Sequence, residues 1–118
     1  MLVCEDDDDV RRLVTEALTA QGHDTTAVDA VGPALVLLAA GGVEIVVTDR
    51  RLPDGDGLDV CRAGSHAGAR AVVMTANVDD ELELAVAGCH AVLLSKPFTL
   101  TSLLDAVARS AARPTILP

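Results

Sequence analysis

Five polar side chains stand at the ends of short apolar runs of the sequence: Glu5, Asp6, Asp49, Thr75 and Lys96. Three carboxylates held in one pocket repel one another unless a divalent cation joins them. A hard cation held by few protein carboxylates and several waters is typical of magnesium. A carboxylate beside such an ion can attack phosphorus and form an acyl phosphate, whose charge an ammonium and a hydroxyl group would stabilise.

Each of these residues, taken alone, has an ordinary structural explanation. A lone aspartate such as Asp49 is more often a turn or helix-capping residue, and Thr75 alone would be a strand-end threonine. Asp7–Asp9, next to the acidic pair, are adequately explained as acids at a helix N-terminus. Lys96 is the only lysine in the chain, which favours a role for a compact ammonium, with chance as the simple alternative.

Short apolar runs alternate with helical periodicities along the chain. The run at 45–47 is β-branched and typical of a strand buried on both faces, whereas apolar residues spaced i, i+3, i+4 and i+7 after Val10 predict an amphipathic helix. The predicted strands cover 2–4, 24–28, 45–47, 71–74 and 91–94. The predicted helices cover 10 to about 22, 31–40, 58–65, 79–87 and the segment after Thr99.

Apolar spacing also predicts which helix faces lie inward. On the fourth helix Leu82, Leu84 and Val86 cannot all face the core, so part of that helix should be exposed and apolar. The second helix should bury Ala34, Leu35, Leu38 and Ala39. The last helix should use Leu100, Leu103, Leu104, Val107, Ala108 and Ala111.

Five strand–helix units in strict alternation predict an α/β fold with an open, doubly wound sheet of five parallel strands. Ligands of such sheets bind outside the carboxyl ends of the strands, where the topology switches. Because these ends are neighbours, the five polar side chains should converge at one edge of the sheet. Their separate structural explanations do not account for that convergence.

Length and composition restrict the class of protein. The 118 residues predict one domain over 1–112, followed by a tail or the start of a linker at 113–118. A formal net charge of -9 argues against nucleic-acid binding by this chain. No apolar run reaches transmembrane length and no signal peptide precedes the first strand, which favours a cytoplasmic protein without membrane contact. The three cysteines lack CxxC spacing, which indicates reduced thiols and not a disulfide framework or a zinc site.

Four segments resemble the receiver domain of bacterial two-component response regulators, in that family's order and near its spacing: LVCEDD, IVVTDRRLPDGDGLDV, VVMTA and LLSKPF. The resemblance covers about the whole chain. It implies a flavodoxin-like fold with strand order 2-1-3-4-5. It also implies that Asp49 accepts a phosphoryl group from a sensor histidine kinase or a phosphotransfer protein. Such a domain catalyses only its own phosphorylation and dephosphorylation and is not otherwise an enzyme.

The same resemblance implies Mg²⁺ as the cofactor. Asp6 and Asp49 would bind the ion, Glu5 would act through water, and the backbone carbonyl of Arg51 would complete the protein ligands. Thr75 would be the switch hydroxyl. Lys96 would bind the phosphoryl group, with a cis Lys96–Pro97 peptide bond orienting it.

Leu93 departs from the family pattern, because the position three before Lys96 is commonly aromatic. The segment between Gly57 and Thr75 is also about one helical turn shorter than usual. An alternative is therefore a receiver-like interaction module that works without phosphorylation. A metal-dependent phosphatase would need a second acid near Asp49, for which Asp54 and Asp56 are candidates although loop geometry explains them better.

Output should depend on the surface formed by the fourth helix, the fifth strand and the fifth helix. An apolar patch there would mark a partner surface, and a homodimer through it is one candidate.

Overall fold

The computed structural model of the protein describes residues 1–112, and the predicted tail at 113–118 lies outside them. Within these residues, five parallel strands form one sheet and five helices connect and cover them. The strands are β1 (Leu2–Cys4), β2 (Thr26–Val28), β3 (Ile45–Asp49), β4 (Arg70–Thr75) and β5 (Val92–Ser95). The helices are α1 (Asp8–Ala20), α2 (Val31–Ala40), α3 (Gly57–His66), α4 (Asp80–Cys89) and α5 (Leu100–Ala112).

The spatial order of the sheet is β2-β1-β3-β4-β5, so the predicted order 2-1-3-4-5 is confirmed. All four pairings are parallel, and Cys4 at the end of β1 stands opposite Thr48 of β3. Asp49 pairs with Met74, and Thr75 pairs with Ser95. This register aligns the carboxyl ends of the strands along one edge, where the functional residues are expected.

Alternate residues of each buried strand enter two separate apolar layers, as the two-residue period of a strand requires. In β3, Val46 packs in the layer beneath α2, α3 and α4, whereas Ile45 and Val47 pack beneath α1 and α5. Aliphatic side chains fill both layers, and Phe98, the only aromatic residue, lies at the margin of the second. The central strands are thus buried on both faces, as their apolar sequence predicts.

A small antiparallel hairpin, formed by Arg51–Leu52 and Gly55–Asp56, lies between β3 and α3. Asp56 caps α3, since its carboxylate accepts a hydrogen bond of 2.9 Å from the Leu58 backbone N–H. The helix predicted over 58–65 consequently starts one residue earlier and runs to His66.

The prediction for the inward face of α2 is partly wrong. Ala34 and Leu38 are buried together with Val31, but Leu35 and Ala39 are exposed. The side chains of α2 itself are apolar on nearly all sides of the helix. Their spacing alone therefore does not show which face packs against the sheet.

The prediction for α5 also needs correction. Its buried residues are Leu103, Ala106, Val107 and Ser110, whereas Leu100, Ala108 and Ala111 are exposed. Ser110 was missed because it is polar, yet its hydroxyl donates a 3.4 Å hydrogen bond to the Ala71 carbonyl. A polar side chain can lie in the interface when such a partner is available.

Helix α4 continues past Gly88, where the sequence suggested that it ends, and stops at Cys89. His90 adopts the left-handed conformation after it, with φ 54°, and its N–H bonds to the carbonyls of Val86 and Ala87. Leu82 and Val86 face the core whereas Leu84 is 76% exposed, which confirms that this helix presents an apolar side chain to solvent.

None of the helices within residues 1–112 is sufficiently long and apolar to cross a bilayer.

Gly57 provides a test of how closely α3 approaches β3. A Cβ atom at this position would lie 1.8 Å from the Asp49 carbonyl oxygen and 3.0 Å from the Thr48 hydroxyl oxygen. Gly57→Ala should therefore lower the free energy of unfolding by about 2 kcal/mol or more, because backbone atoms must move. Gly88→Ala is the matched control. It adds the same atom to a helix with nothing within 4 Å, and should stabilise by up to about 1 kcal/mol. Urea unfolding of both variants measures the difference, and similar effects of the two substitutions would contradict the packing argument.

Candidate functional site

Three carboxylates meet at the carboxyl ends of β1 and β3. Glu5 directly follows β1 and is buried, Asp6 is exposed on the next loop, and Asp49 is the half-buried last residue of β3. One oxygen from each lies within 4.8 Å of the others. The structure therefore brings together the three acids that the sequence predicted to meet.

Backbone contacts hold Asp49 in place. The Thr48 hydroxyl donates to the Asp49 carbonyl at 2.9 Å, and the Arg50 N–H donates to Asp49 Oδ1 at 2.9 Å. The Gly57 N–H bonds to the Arg50 carbonyl at 2.6 Å and closes the hairpin against β3. The carboxylate thus projects from a rigid strand end and not from a free loop.

The Lys96 ammonium contacts both buried Glu5 and half-buried Asp49. Its Nζ is 3.2 Å from both carboxylate oxygens of Glu5 and 3.3 Å from Asp49 Oδ2. The Lys96–Pro97 peptide bond is cis, as predicted. Partial burial acts to lower the pKa of Lys96, but the charges of Asp49 and Glu5 outweigh it and raise the pKa above its ordinary value. Lys96 therefore stays positively charged.

The surroundings of Glu5 alter its acidity. Desolvation, and after it the charge of Asp49, raise the pKa of Glu5 from 4.5 to about 7. Lys96 opposes both effects but does not cancel them. A second positive charge near Glu5 would favour its ionised form.

Thr75 ends β4 and is buried, but its hydroxyl is engaged with the loop that leads to α4. The hydroxyl donates to the Asn77 carbonyl at 2.9 Å and accepts from the Asn77 N–H at 3.2 Å. The Thr75 carbonyl accepts from the Lys96 N–H at 2.7 Å, so β4 and β5 end side by side. The structure thus places Thr75 at the predicted edge with its hydroxyl turned to Asn77.

The donor set fits a divalent cation of the magnesium type. Glu5, Asp6 and Asp49 offer carboxylate oxygens, the ligands that hard cations prefer, and Asp6 and Asp49 leave room for water. Arg51 stands two residues after Asp49 at the start of the hairpin, with its side chain exposed. Its backbone carbonyl remains a predicted ligand.

Two further acids near Asp49 have structural roles. Asp54 reaches across to the N-terminus of α2, where its carboxylate accepts hydrogen bonds from the N–H groups of Val31 and Gly32 at 2.7 and 2.9 Å. These bonds lower the pKa of Asp54. Asp56 caps α3. Since both carboxylates are occupied at helix ends, neither supplies the second acid that the phosphatase hypothesis requires.

Comparison with known proteins agrees with this geometry. The family model described as the response regulator receiver domain matches residues 1–108. The chain belongs to the response regulator receiver domains.

Named relatives and structures are consistent with the family. The domain is 35% identical over 116 residues to the response regulator protein FleR of Pseudomonas aeruginosa, covering 94% of this chain and 24% of FleR. It is 31% identical over 111 residues to the swarming motility regulation protein RssB of Serratia marcescens, covering 91% of this chain and 50% of RssB. The non-phosphorylated HemR receiver domain of Leptospira biflexa superposes with a TM-score of 0.85 at 25% identity, covering 96% of this chain and 95% of the HemR chain.

Two arginines of the receiver domain were not identified from the sequence. Arg11 of α1 donates to the Glu5 carbonyl at 3.0 Å and to the Asp8 carboxylate at 2.6 Å, so it ties the acidic loop to the helix. Arg50 is nearly buried and pairs with Asp79, the N-cap of α4, at 3.3 Å. Both arginines belong to arginine pairs beside acids, and their spacing in the sequence does not indicate these contacts.

The raised pKa of Glu5 predicts the pH dependence of stability of the metal-free receiver domain. Glu5 binds a proton more tightly when folded, with a pKa of about 7, than at its ordinary value of 4.5. Its contribution to stability is therefore complete below pH 4.5 and is lost as the pH rises to about 7. Thermal unfolding in a chelating buffer should show Tm falling over this range, and Glu5→Gln should remove that part of the fall. Parallel pH profiles for the two proteins would contradict the prediction.

The contact between Arg11 and the Glu5 carbonyl leads to a prediction for the affinity of the acidic loop for Mg²⁺. Arg11→Ala should weaken Mg²⁺ binding about tenfold, because residues that orient ligands typically have effects of this size. Arg12→Ala removes the same charge from an exposed neighbour and should leave affinity unchanged or slightly increased. An NMR titration with Mg²⁺ compares the variants. Loss of a positive charge by itself would favour Mg²⁺ binding. Equal weakening by both variants would therefore contradict a specific role for the contact between Arg11 and Glu5.

Proposed function

We propose that this receiver domain is a phosphoryl-accepting switch, with Asp49 as the acceptor and a histidine kinase or phosphotransfer protein as the donor. The observation that carries the proposal is the position of Lys96, whose ammonium lies 3.3 Å from Asp49 Oδ2 beside two further acids. A lysine at this distance supplies positive charge where a phosphoryl group on Asp49 would carry negative charge.

In the proposed transfer, an oxygen of Asp49 attacks the phosphorus of a phosphohistidine. The new O–P bond forms as the N–P bond breaks, and the imidazole nitrogen leaves with the electron pair. Asp49 Oδ1 accepts a hydrogen bond from the Arg50 N–H, which would keep the carboxylate oriented as the phosphohistidine approaches. Lys96 would shift from Asp49 towards the phosphoryl oxygens. Bound Mg²⁺ would neutralise charge on the transferring group.

The proposed signal passes through the loop between β4 and α4. A phosphoryl group on Asp49 offers new acceptor oxygens near Thr75, whose hydroxyl would have to leave the Asn77 carbonyl to reach them. Release of that turn would alter the first turn of α4, which Asp79 caps and Arg50 holds. We expect α4 to be the element that moves, because its anchors lie beside the acceptor.

A phosphorylation-independent interaction module is the second candidate. It is favoured by Leu93, half-buried in β5 where the family commonly has an aromatic residue. The ion pairs around Lys96 argue for the phosphoryl acceptor instead, since an interaction module needs no ammonium beside Asp49.

The test is phosphorylation of purified protein with acetyl phosphate and Mg²⁺, measured by intact mass. Wild-type protein should gain one phosphoryl group, and Asp49→Asn should gain none because a neutral amide replaces the nucleophilic carboxylate. Lys96→Gln should slow labelling roughly 10²–10³-fold, as removal of one stabilising charge-assisted donor does elsewhere.

Asp9→Asn is the matched control, because Asp9 is an exposed acid in the first turn of α1 and should label normally. Undiminished labelling of Asp49→Asn would overturn the site assignment. Absence of labelling in the wild-type protein would favour the interaction module.

Phosphorylation should promote self-association or partner docking on the face made by α4, β5 and α5. Leu84 on α4 is 76% exposed, and exposed apolar side chains of this size often mark partner surfaces. A stable phosphoryl analogue should therefore change the sedimentation coefficient of the wild-type protein, and Leu84→Glu should abolish that change.

Val36→Glu is the control for this surface. Val36 is 70% exposed but lies on α2, away from the proposed face, and its substitution should have no effect on association. If the analogue leaves sedimentation unchanged and Leu84→Glu disturbs no partner binding, the proposed output surface is wrong.

We also propose that the protein is cytoplasmic. Its formal net charge of -9 argues against nucleic-acid binding by this chain.

A further inference from the structure

Two cysteines on helices that contact each other, α3 and α4, lie on the side of the sheet covered by α2, α3 and α4. Cys61 of α3 is part of the buried apolar layer, and Cys89, the last residue of α4, packs against that layer from a half-buried position. Cys89 is near enough to Cys61 to raise the pKa of the Cys61 thiol. Neither residue belongs to the phosphoryl site, and the sequence did not indicate that they meet.

The two thiols differ in access to solvent. Cys61 is fully buried, and burial raises its pKa well above the ordinary value, with a further increase from Cys89. A thiol in that environment is a poor first target for an oxidant, since the thiolate is the reactive form. Cys89 is partly accessible at the end of a helix, immediately before the left-handed His90. It is the thiol that a small oxidant can reach.

We propose that Cys61 and Cys89 are an oxidation-sensitive dithiol pair that closes to a disulfide between α3 and α4 within one chain. A peroxide would first convert the Cys89 thiol to a sulfenic acid, with release of one water. The Cys61 sulfur would then attack the Cys89 sulfur and form the S–S bond. The sulfenic oxygen leaves as a second water, which takes up the Cys61 proton. In total two thiols are oxidised and one hydrogen peroxide is reduced to two waters.

Such a bond would tie the C-terminal end of α4 to α3. The proposed output residue Leu84 lies on the same helix, so oxidation would restrain the element that phosphorylation is expected to move. The cross-link itself requires no chemistry at Asp49. Its formation can therefore be tested whether or not the proposed function is correct.

The experiment treats dilute, purified protein with hydrogen peroxide, then alkylates it under denaturing conditions and measures intact mass and disulfide-linked peptides. Of the three cysteines, only Cys4 should remain free for alkylation. Cys4 is a suitable internal reference, because it is buried in β1 and its thiol donates to the Ala30 carbonyl at 3.3 Å. Dithiothreitol should restore all three thiols. Hydrogen exchange at the C-terminal end of α4 should be slower in the oxidised form.

Variants make the assignment specific. Cys89→Ser at the half-buried position should leave two free thiols after peroxide, and Cys61→Ala should give an oxidised Cys89 with no cross-link. Cys4→Ala should still form the disulfide, and so should Asp49→Asn. Three thiols remaining free, a disulfide between two chains, or overoxidation of Cys89 with Cys61 free would each overturn the proposal. Failure of the Asp49 labelling experiment would leave this result unaffected.

Discussion

The ion pairs of Lys96 allow two carboxylates to share one end of the sheet. Glu5 is buried and Asp49 is half-buried, and in the absence of positive charge their mutual repulsion would oppose folding. The Lys96 ammonium contacts both at 3.2–3.3 Å, which links the ends of β1, β3 and β5. Even so, the pKa of Glu5 stays near 7, so one ammonium does not fully compensate for two acids in this environment. The excess of negative charge at this site favours the binding of a cation. A phosphoryl group on Asp49 would in turn give Lys96 a new partner.

Acids near the site fall into two groups that sequence position does not distinguish. Glu5, Asp6 and Asp49 converge on one another, whereas Asp54 and Asp79 bind backbone N–H groups at the start of α2 and α4. Ala30 at the N-cap of α2 has no side chain able to cap the helix, so Asp54 takes this role by bonding to Val31, which is 23 residues away in the sequence. The hairpin after Asp49 is thereby held against α2 and α3, and it gives β3 a rigid end.

The contacts around α4 explain how this receiver domain could work without an aromatic residue at Leu93. Arg50 directly follows Asp49, the proposed acceptor, and its guanidinium pairs with Asp79, the N-cap of α4. The Leu82 N–H and Arg50 lower the pKa of Asp79. Thr75 closes the turn that enters the same helix. Arg50 and Thr75 therefore each contact the start of α4 or the loop that leads to it, and neither contact depends on a large side chain in β5. The cysteine pair acts at the opposite end of this helix, so the two ends of α4 would respond to different chemical signals.

The sequence by itself determined the order of strands and helices, the parallel sheet and the residues at its edge. This was possible because buried strands read as β-branched runs, and because parallel strands must bring their carboxyl ends together. Only the tertiary structure decided which side of α2 and α5 is buried, that Asp54 caps a distant helix, that Arg11 supports the acidic loop and that Cys61 meets Cys89. These features depend on how each helix is rotated against the sheet and on contacts between distant segments. Local periodicity does not contain that information, because a helix such as α2, apolar on nearly every side, can pack in several orientations.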